Sequence, residues 1–334
     1  MFSLKGQKLS AVEASFFREI NPAGLILFAR NVDTPDQLRG LIEEVKACLG
    51  RDRMAVLIDQ EGGEVQRLGP PHWRQAPPMA RFGRVYEKDP QLAREALTLN
   101  VQLIGLELRA LGITVDCLPV LDVPVPGADG IIGERAFSNC PETVSDLGRV
   151  AMEGLVSVGV LPIIKHIPGH GRALVDSHKA LPIVKTPHAD LSNSDFLPFK
   201  ALSDAPFAMT AHVIYQDIDR NAPATYSSKI IEEVIRGEIG FGGLLISDDL
   251  AMGALYGSFQ KRAEMTLAAG VDLLLHCSGN LNEMVQIMET TGPMESAGIS
   301  RLASLLEKAL KGNIPETGEV LEQYQASEQK MKAI

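Results

Sequence analysis

Apolar positions along the chain follow two alternating patterns, short unbroken runs and stretches at helical spacing. The runs are Gly24–Phe28, Ala55–Ile58, Ile113–Leu118, Pro162–His166, Phe207–His212, Gly243–Ser247 and Val271–His276. Their length and their leucine-rich or β-branched content predict strands covered on both faces, as in a parallel sheet. Between them Leu38, Leu41, Ile42 and Val45 recur at helical spacing, as do Leu97, Val101, Ile104, Leu108 and Leu111. Leu147, Val150, Ala151, Gly154, Leu155 and Val158 form a further such set, and Ile230, Ile231, Val234 and Ile235 another. Local punctuation agrees with these limits. Thr34 is placed to cap a helix with Pro35 at its first position, Gln37 at its third and Gly50 beyond its end. Asp89-Pro90 opens a longer helix, Gly112 stops it, and Gly159 follows the next.

Seven strands separated by helices predict an α/β fold, a (β/α)8 barrel of the TIM type. A doubly wound open sheet is the second choice, disfavoured because no GxGxxG follows an early strand. Phe2–Leu4 supplies the remaining barrel strand, short or irregular. With no internal repeat, low-complexity tract or linker, residues 1–334 are read as a single catalytic barrel domain. Its Glu-, Gln- and Lys-rich end, residues 315–334, is read as a loosely docked tail.

Composition narrows the partners. A net charge of −10 offers no basic excess for nucleic acid or an anionic membrane. No run reaches the ~18 apolar residues of a membrane span, and Met1–Lys8 holds no apolar signal-peptide core. Cys48, Cys117, Cys140 and Cys277 lie far apart without CxxC spacing, which suits reduced thiols in a cytoplasmic protein. No exposed apolar helix demands a partner, so a monomer is expected.

The chemistry is expected where the strands stop. Asp59, Asp122, Lys165-His166, His212, Asp248-Asp249 and His276 stand at or just past strand ends, where a barrel builds its active site. Asp122 and Asp249 fit a helix-capping or structural role equally well. The richest stretch is Ile163–Pro182, which holds His166, His170 and His178 in a loop that Pro168, Gly169 and Gly171 keep from being helical. Within it, Asp176 stands two residues from His178, close enough to orient the imidazole and stabilise its cation. Asp59–Arg67 joins carboxylates to an arginine, a set able to bind sugar hydroxyls, and Arg135 adds a donor from another loop. Asp248 can attack an electrophilic carbon or stabilise a developing cation.

Taken together, these residues resemble glycoside hydrolase family 3, in particular its single-domain bacterial β-N-acetylhexosaminidases, over about residues 25–276. The resemblance rests on Leu27-Phe-Ala-Arg-Asn31, Asp59-Gln-Glu-Gly-Gly63, Pro119-Val-Leu-Asp122 and Lys165-His-Ile-Pro-Gly-His-Gly171 with Asp176-Ser-His178. Met209-Thr-Ala-His-Val213 and Ser247-Asp-Asp-Leu-Ala-Met252 complete it. It implies Asp248 as a nucleophile that forms a covalent glycosyl-enzyme, and His178, paired with Asp176, as acid/base. Asp59, Arg67, Arg135, Lys165 and His166 would hold a terminal N-acetylglucosamine, with Asp249 and His170 in support. The implied activity is a retaining β-N-acetylglucosaminidase acting on GlcNAc–anhydroMurNAc muropeptides in peptidoglycan recycling, with no metal and no other cofactor. Ile167 stands where the family usually has Phe, and Arg172 where it has an acid or amide, so Arg172 is expected to alter how the loop closes.

Three rival readings fit the residues less well. A metal-dependent hydrolase would use His166, His170, His178, His212 and Asp248, but Pro-Gly separates the first two and no H-x-H follows an early strand. A Schiff-base aldolase would use Lys165, which serves better as a hydroxyl donor. Against a non-catalytic sugar-binding module stand the joint presence of Asp248, Asp176 and His178 and a single tryptophan, Trp73.

Overall fold

A computed structural model describes residues 1–309 and 314–334. Its main sheet is parallel and runs in chain order: β1 Gly24–Leu27, β2 Ala55–Ile58, β3 Val115–Asp116, β4 Leu161–Ile167, β5 Phe207–Thr210, β6 Leu244–Asp249 and β7 Leu273–Leu275. The two edges meet across Phe2, which bridges in parallel to Leu25 of β1 and to His276 just past β7. Phe2 N donates to Gly24 O at 3.3 Å, Ile26 N to Phe2 O at 2.9 Å, and His276 N to Met1 O at 3.1 Å. The fold is the expected barrel, with its irregular first strand reduced to one bridging residue.

Strand side chains alternate between two apolar layers, as the pleat requires. Leu25, Leu27, Val56, Ile58, Ile164 and Leu245 pack outward against helix residues such as Leu38, Ile42, Leu97 and Leu155. Ile26, Leu57, Val115, Ile163, Phe207, Ile246 and Leu273 fill the barrel, joined by Leu302 and Leu306 of the helix Ser296–Ala309. Burial on both faces is why these strands read as continuous apolar runs.

The helix boundaries follow their local signals. Thr34 Oγ1 accepts from Gln37 N at 3.2 Å to start Pro35–Leu49, and Gly50 ends it in the left-handed region at φ 62°. Asp89 accepts from Leu92 N at 2.9 Å to start Pro90–Ala110. Ile230–Glu238 is helical as expected but winds as a π-helix. The strand expected over Ile113–Leu118 is regular only over Val115–Asp116; Cys117 N still donates to Ile58 O at 2.9 Å, and past Pro119, which has no N–H to give, pairing continues with a Val120–Lys165 bridge.

The C-terminal segment departs from the loosely docked tail expected over residues 315–334. Thr317–Lys332 is a helix, not a loose tail, and it buries Val320, Tyr324 and Met331. Val320 and Tyr324 pack on Leu103, Leu106 and Val158, the Tyr324 ring lies 5.6 Å from the Arg74 guanidinium carbon, and Glu328 pairs with Arg81 at 3.1 Å. The apolar residues are few but share one face, so one stripe docks although the overall composition is polar. Among the described residues no helix is long and apolar enough to cross a membrane.

Candidate active site

The C-terminal strand ends surround a cavity of about 770 Å3, within the ~300–1,000 Å3 typical of small-molecule sites. Asp59, Arg67, Arg135, Lys165, His166, Asp176, His178 and Asp248 all line it, as do Asp249 and His170. His212 and His276 do not. His212 is fully buried between Thr225 Oγ1 at 2.7 Å and the Asp249 carbonyl at 3.0 Å. His276 lies between the Phe2 and Phe259 rings with Glu283 3.1 Å from its Nε2.

One wall is a charge ladder assembled from three strand ends. Lys165 Nζ reaches Asp59 Oδ1 at 2.9 Å and Glu61 Oε1 at 2.6 Å. Asp59 Oδ2 takes Arg67 Nη2 at 2.9 Å, while Glu61 takes Arg135 in a two-pronged pair at 2.8 and 2.9 Å. Burial alone would raise both carboxylates; Lys165 and Arg67 hold Asp59 below the usual range, and Arg135 with Lys165 does the same for Glu61. Burial works against the Lys165 ammonium, but Asp59 and Glu61 reverse it and the pKa rises. The wall is therefore fully ionised at neutral pH. Two of the three Lys165 hydrogens are spent, leaving one for a hydroxyl, and each Asp59 oxygen keeps a lone pair. Arg135 Nη1 also donates to Ile131 O at 3.2 Å, so most of its fork is engaged by the protein.

His166 is held from behind by Asp122, whose Oδ2 lies 2.6 Å from Nδ1 and whose Oδ1 accepts from the backbone N–H groups of His166 and His170 at 3.2 and 2.6 Å. Burial would raise Asp122, but the His166 ring and these donors lower it to about 2. An ionised carboxylate only accepts, so the proton sits on His166 Nδ1 and Nε2 is left to the cavity. Glu61 and Asp122 are thus parts of the site to which sequence reading gave no definite role, Asp122 fitting a strand-end active-site group and a structural one equally well. Glu61 lies in the Asp59–Arg67 stretch and Asp122 at a strand end, so position signalled both, but neither position showed which partner each carboxylate would meet.

The loop after β4 carries the acid–imidazole pair. Asp176 Oδ1 accepts from His178 N at 2.8 Å and stands 2.9 Å from His178 Nδ1. Burial pushes Asp176 up, yet the His178 backbone and ring donors bring it below the ordinary value. His178 Nε2 is thereby the nitrogen without a protein partner among the described residues, on a side chain 62% exposed at the cavity mouth. The loop base is tied by Arg172, whose Nε meets the buried Asp195 at 2.7 Å and whose Nη2 meets Ser194 Oγ at 3.1 Å.

β6 ends in two carboxylates with opposite tendencies. Burial would raise Asp248, but the His212 and His166 rings and the Asp249 N–H (2.8 Å) lower it, so it is an anion at neutral pH. Asp249 is pushed up to about 6 by burial, although Ala251 N and Cys277 N donate to its Oδ1 at 2.9 and 3.0 Å. The two neighbouring carboxylates are thus driven apart, one held as an anion and the other pushed toward protonation. Among the described residues no group of three or more His, Cys, Asp or Glu is arranged to hold a metal ion.

A parallel barrel with a buried ionic wall, a strand-end carboxylate anion and an imidazole–carboxylate pair on one cavity is an enzyme of the barrel-hydrolase class. Residues 2–306 match the Glycosyl hydrolase family 3 N terminal domain, and the chain belongs to this family of glycoside hydrolases. Curated relatives named Beta-hexosaminidase from Alkalilimnicola ehrlichii and Bordetella avium are 39% and 36% identical over 83% of this chain and 80% of their own. NagZ from Neisseria gonorrhoeae in complex with N-trifluoroacetyl-D-glucosamine is 30% identical, with a TM-score of 0.84 over 99% of this chain and 96% of that one. A family 3 β-N-acetylglucosaminidase from Paenibacillus is 29% identical, with a TM-score of 0.87 over 99% of this chain and 67% of that one.

Proposed function

We propose that this chain is a retaining β-N-acetylglucosaminidase with Asp248 as nucleophile and His178 as acid/base. An Asp248 oxygen attacks the anomeric carbon while the glycosidic C–O bond breaks, and His178 Nε2 gives its proton to the departing oxygen. Water then attacks the glycosyl–aspartate, Asp248 leaves as carboxylate, and His178 takes the proton of the water. The Asp176 carboxylate fixes the His178 tautomer and stabilises the imidazolium. Asp59, Arg67, Lys165 and His166 bind the sugar hydroxyls directly, and Arg135 does so with the hydrogens that Glu61 and Ile131 leave free. The observation that carries this reading is that a carboxylate held anionic and a carboxylate-oriented imidazole open onto one cavity whose wall offers sugar-binding donors and acceptors.

The substrate class follows from the resemblance to the β-N-acetylhexosaminidases. It is a non-reducing β-linked N-acetylglucosamine on a GlcNAc–anhydroMurNAc muropeptide, released in the cytoplasm during peptidoglycan recycling. Residues 1–334 act as one monomeric catalytic domain without a metal or other cofactor, so chelator treatment leaves turnover unchanged. The test is incubation with a chromogenic N-acetyl-β-glucosaminide and a slow fluorinated analogue, followed by peptide mapping. The sugar is expected on Asp248; a label on any other residue, or no turnover, overturns the assignment.

A further inference from the structure

We infer that Gly253 is a positioning residue, whose missing side chain lets the loop that follows the nucleophile act as the template for the acid/base loop. The inference deepens the proposed function and rests on its assignment of His178. Gly253 N donates to His178 O at 3.1 Å, and Ala254 N donates to Ser177 O at 3.0 Å. These two bonds join a segment five residues past Asp248 to the residue that handles the proton. A Cβ on Gly253 would lie 2.7 Å from His178 O and 3.1 Å from Lys179 O, both backbone atoms. Gly253 is not among the residues with positive φ, so alanine meets contact strain there rather than backbone strain.

Which side gives way is set by how each is held. The template is fixed on several sides: Leu250 N donates to Leu275 O at 2.9 Å, and Met252 N to Asp249 O at 3.1 Å. Arg262 Nη1 donates to Leu250 O at 2.6 Å and to Met252 O at 3.2 Å. The opposite segment is anchored by the Asp176 carboxylate and by buried Ser177, whose Oγ lies 3.0 Å from His170 Nε2, while His178, Lys179, Leu174 and Val175 themselves are exposed. A methyl at 253 therefore displaces His178 while the loop holding Asp248 and Asp249 stays in place. The reacting proton is sensitive to such a shift, since a misplacement of ~1 Å costs up to ~100-fold in rate.

The experiment compares kcat/KM across aryl N-acetyl-β-glucosaminides of rising leaving-group pKa for wild type, Gly253→Ala, His178→Ala and a control, Gly242→Ala. Gly242 has nothing within 4 Å of an added Cβ. Gly253→Ala is expected to lose about 10- to 100-fold on the poorest leaving groups and little on the most activated, in the manner of a weakened general acid. The control should follow wild type. A uniform loss across the series, or none, overturns the role of Gly253 while a steep His178→Ala series leaves the acid/base assignment standing. A flat His178→Ala series overturns that assignment and this inference with it. Hydrogen exchange on the wild-type enzyme is the second measurement and needs no variant to fold. Slow exchange at the Gly253 and Ala254 amides is expected, and exchange at unstructured-chain rates overturns the inference.

Discussion

Replacing Lys165 with methionine keeps the volume of the stem and removes the charge that joins two buried carboxylates. Lys165 is 2% exposed, and its ammonium sits 2.9 Å from Asp59 and 2.6 Å from Glu61. Breaking a buried ion pair costs ~3–5 kcal/mol because the surviving charge is left unpaired. Here neither carboxylate is fully orphaned: Asp59 keeps Arg67 at 2.9 Å and Glu61 keeps Arg135 at 2.8 Å. The expected loss for Lys165→Met is therefore at the lower end, ~3 kcal/mol. Its pH dependence has a definite sign. Both carboxylates have folded-state pKa values below their unfolded ones, so their stabilisation is present above ~pH 4 and is lost as pH falls through the folded values. The gap between wild type and variant should be widest near neutrality and close on acidification. Urea unfolding at several pH values measures it, and adding Asp59→Asn to Lys165→Met should recover part of the loss, with a coupling of at least ~0.5–1 kcal/mol. A loss below ~1 kcal/mol, or strictly additive changes, would refute the view that the ladder is held by charge compensation.

Three further outcomes follow from individual sites. Asp249 takes up a proton near pH 6 in the fold but near 3.8 in the unfolded chain, so between pH 7 and pH 4 wild type should gain ~2 kcal/mol relative to Asp249→Asn. Asp249→Asn, which keeps the acceptor for Ala251 and Cys277, should not show this gain, and parallel pH–stability curves would contradict the placement. Gly83, inside the helix Met79–Tyr86, would put a Cβ 1.7 Å from the Phe137 carbonyl oxygen. Gly83→Ala is expected to destabilise by ~1–3 kcal/mol in thermal unfolding, the reverse of its usual gain in a helix. Val320→Asp, at a buried position of the C-terminal helix, should cost at least ~2 kcal/mol; an unchanged unfolding midpoint would return residues 317–332 to the status of a loose tail.

What could be read from the sequence alone is what neighbours in the chain decide. The strand–helix alternation, the Thr34 and Asp89 caps and the Gly50 stop depend on contacts within a few residues, and each stands where its local signal put it. The strand-end pattern likewise located the site, because a parallel barrel sends every strand terminus to one face. Tertiary structure decided what depends on distant partners. Phe2 closes the sheet only because β1 and β7 lie on either side of it, and Val320 and Tyr324 become core only against Leu103 and Val158. Asp122 acquires its role from a ring 44 positions away, and Glu61 from an arginine 74 away. The loop after β4 likewise takes its place beside β6 through two amides that no periodicity marks, with Gly253 admitting the His178 carbonyl. Periodicity reports which face of an element is buried; it carries no record of which buried charge will meet which, since only closure of the barrel sets those distances.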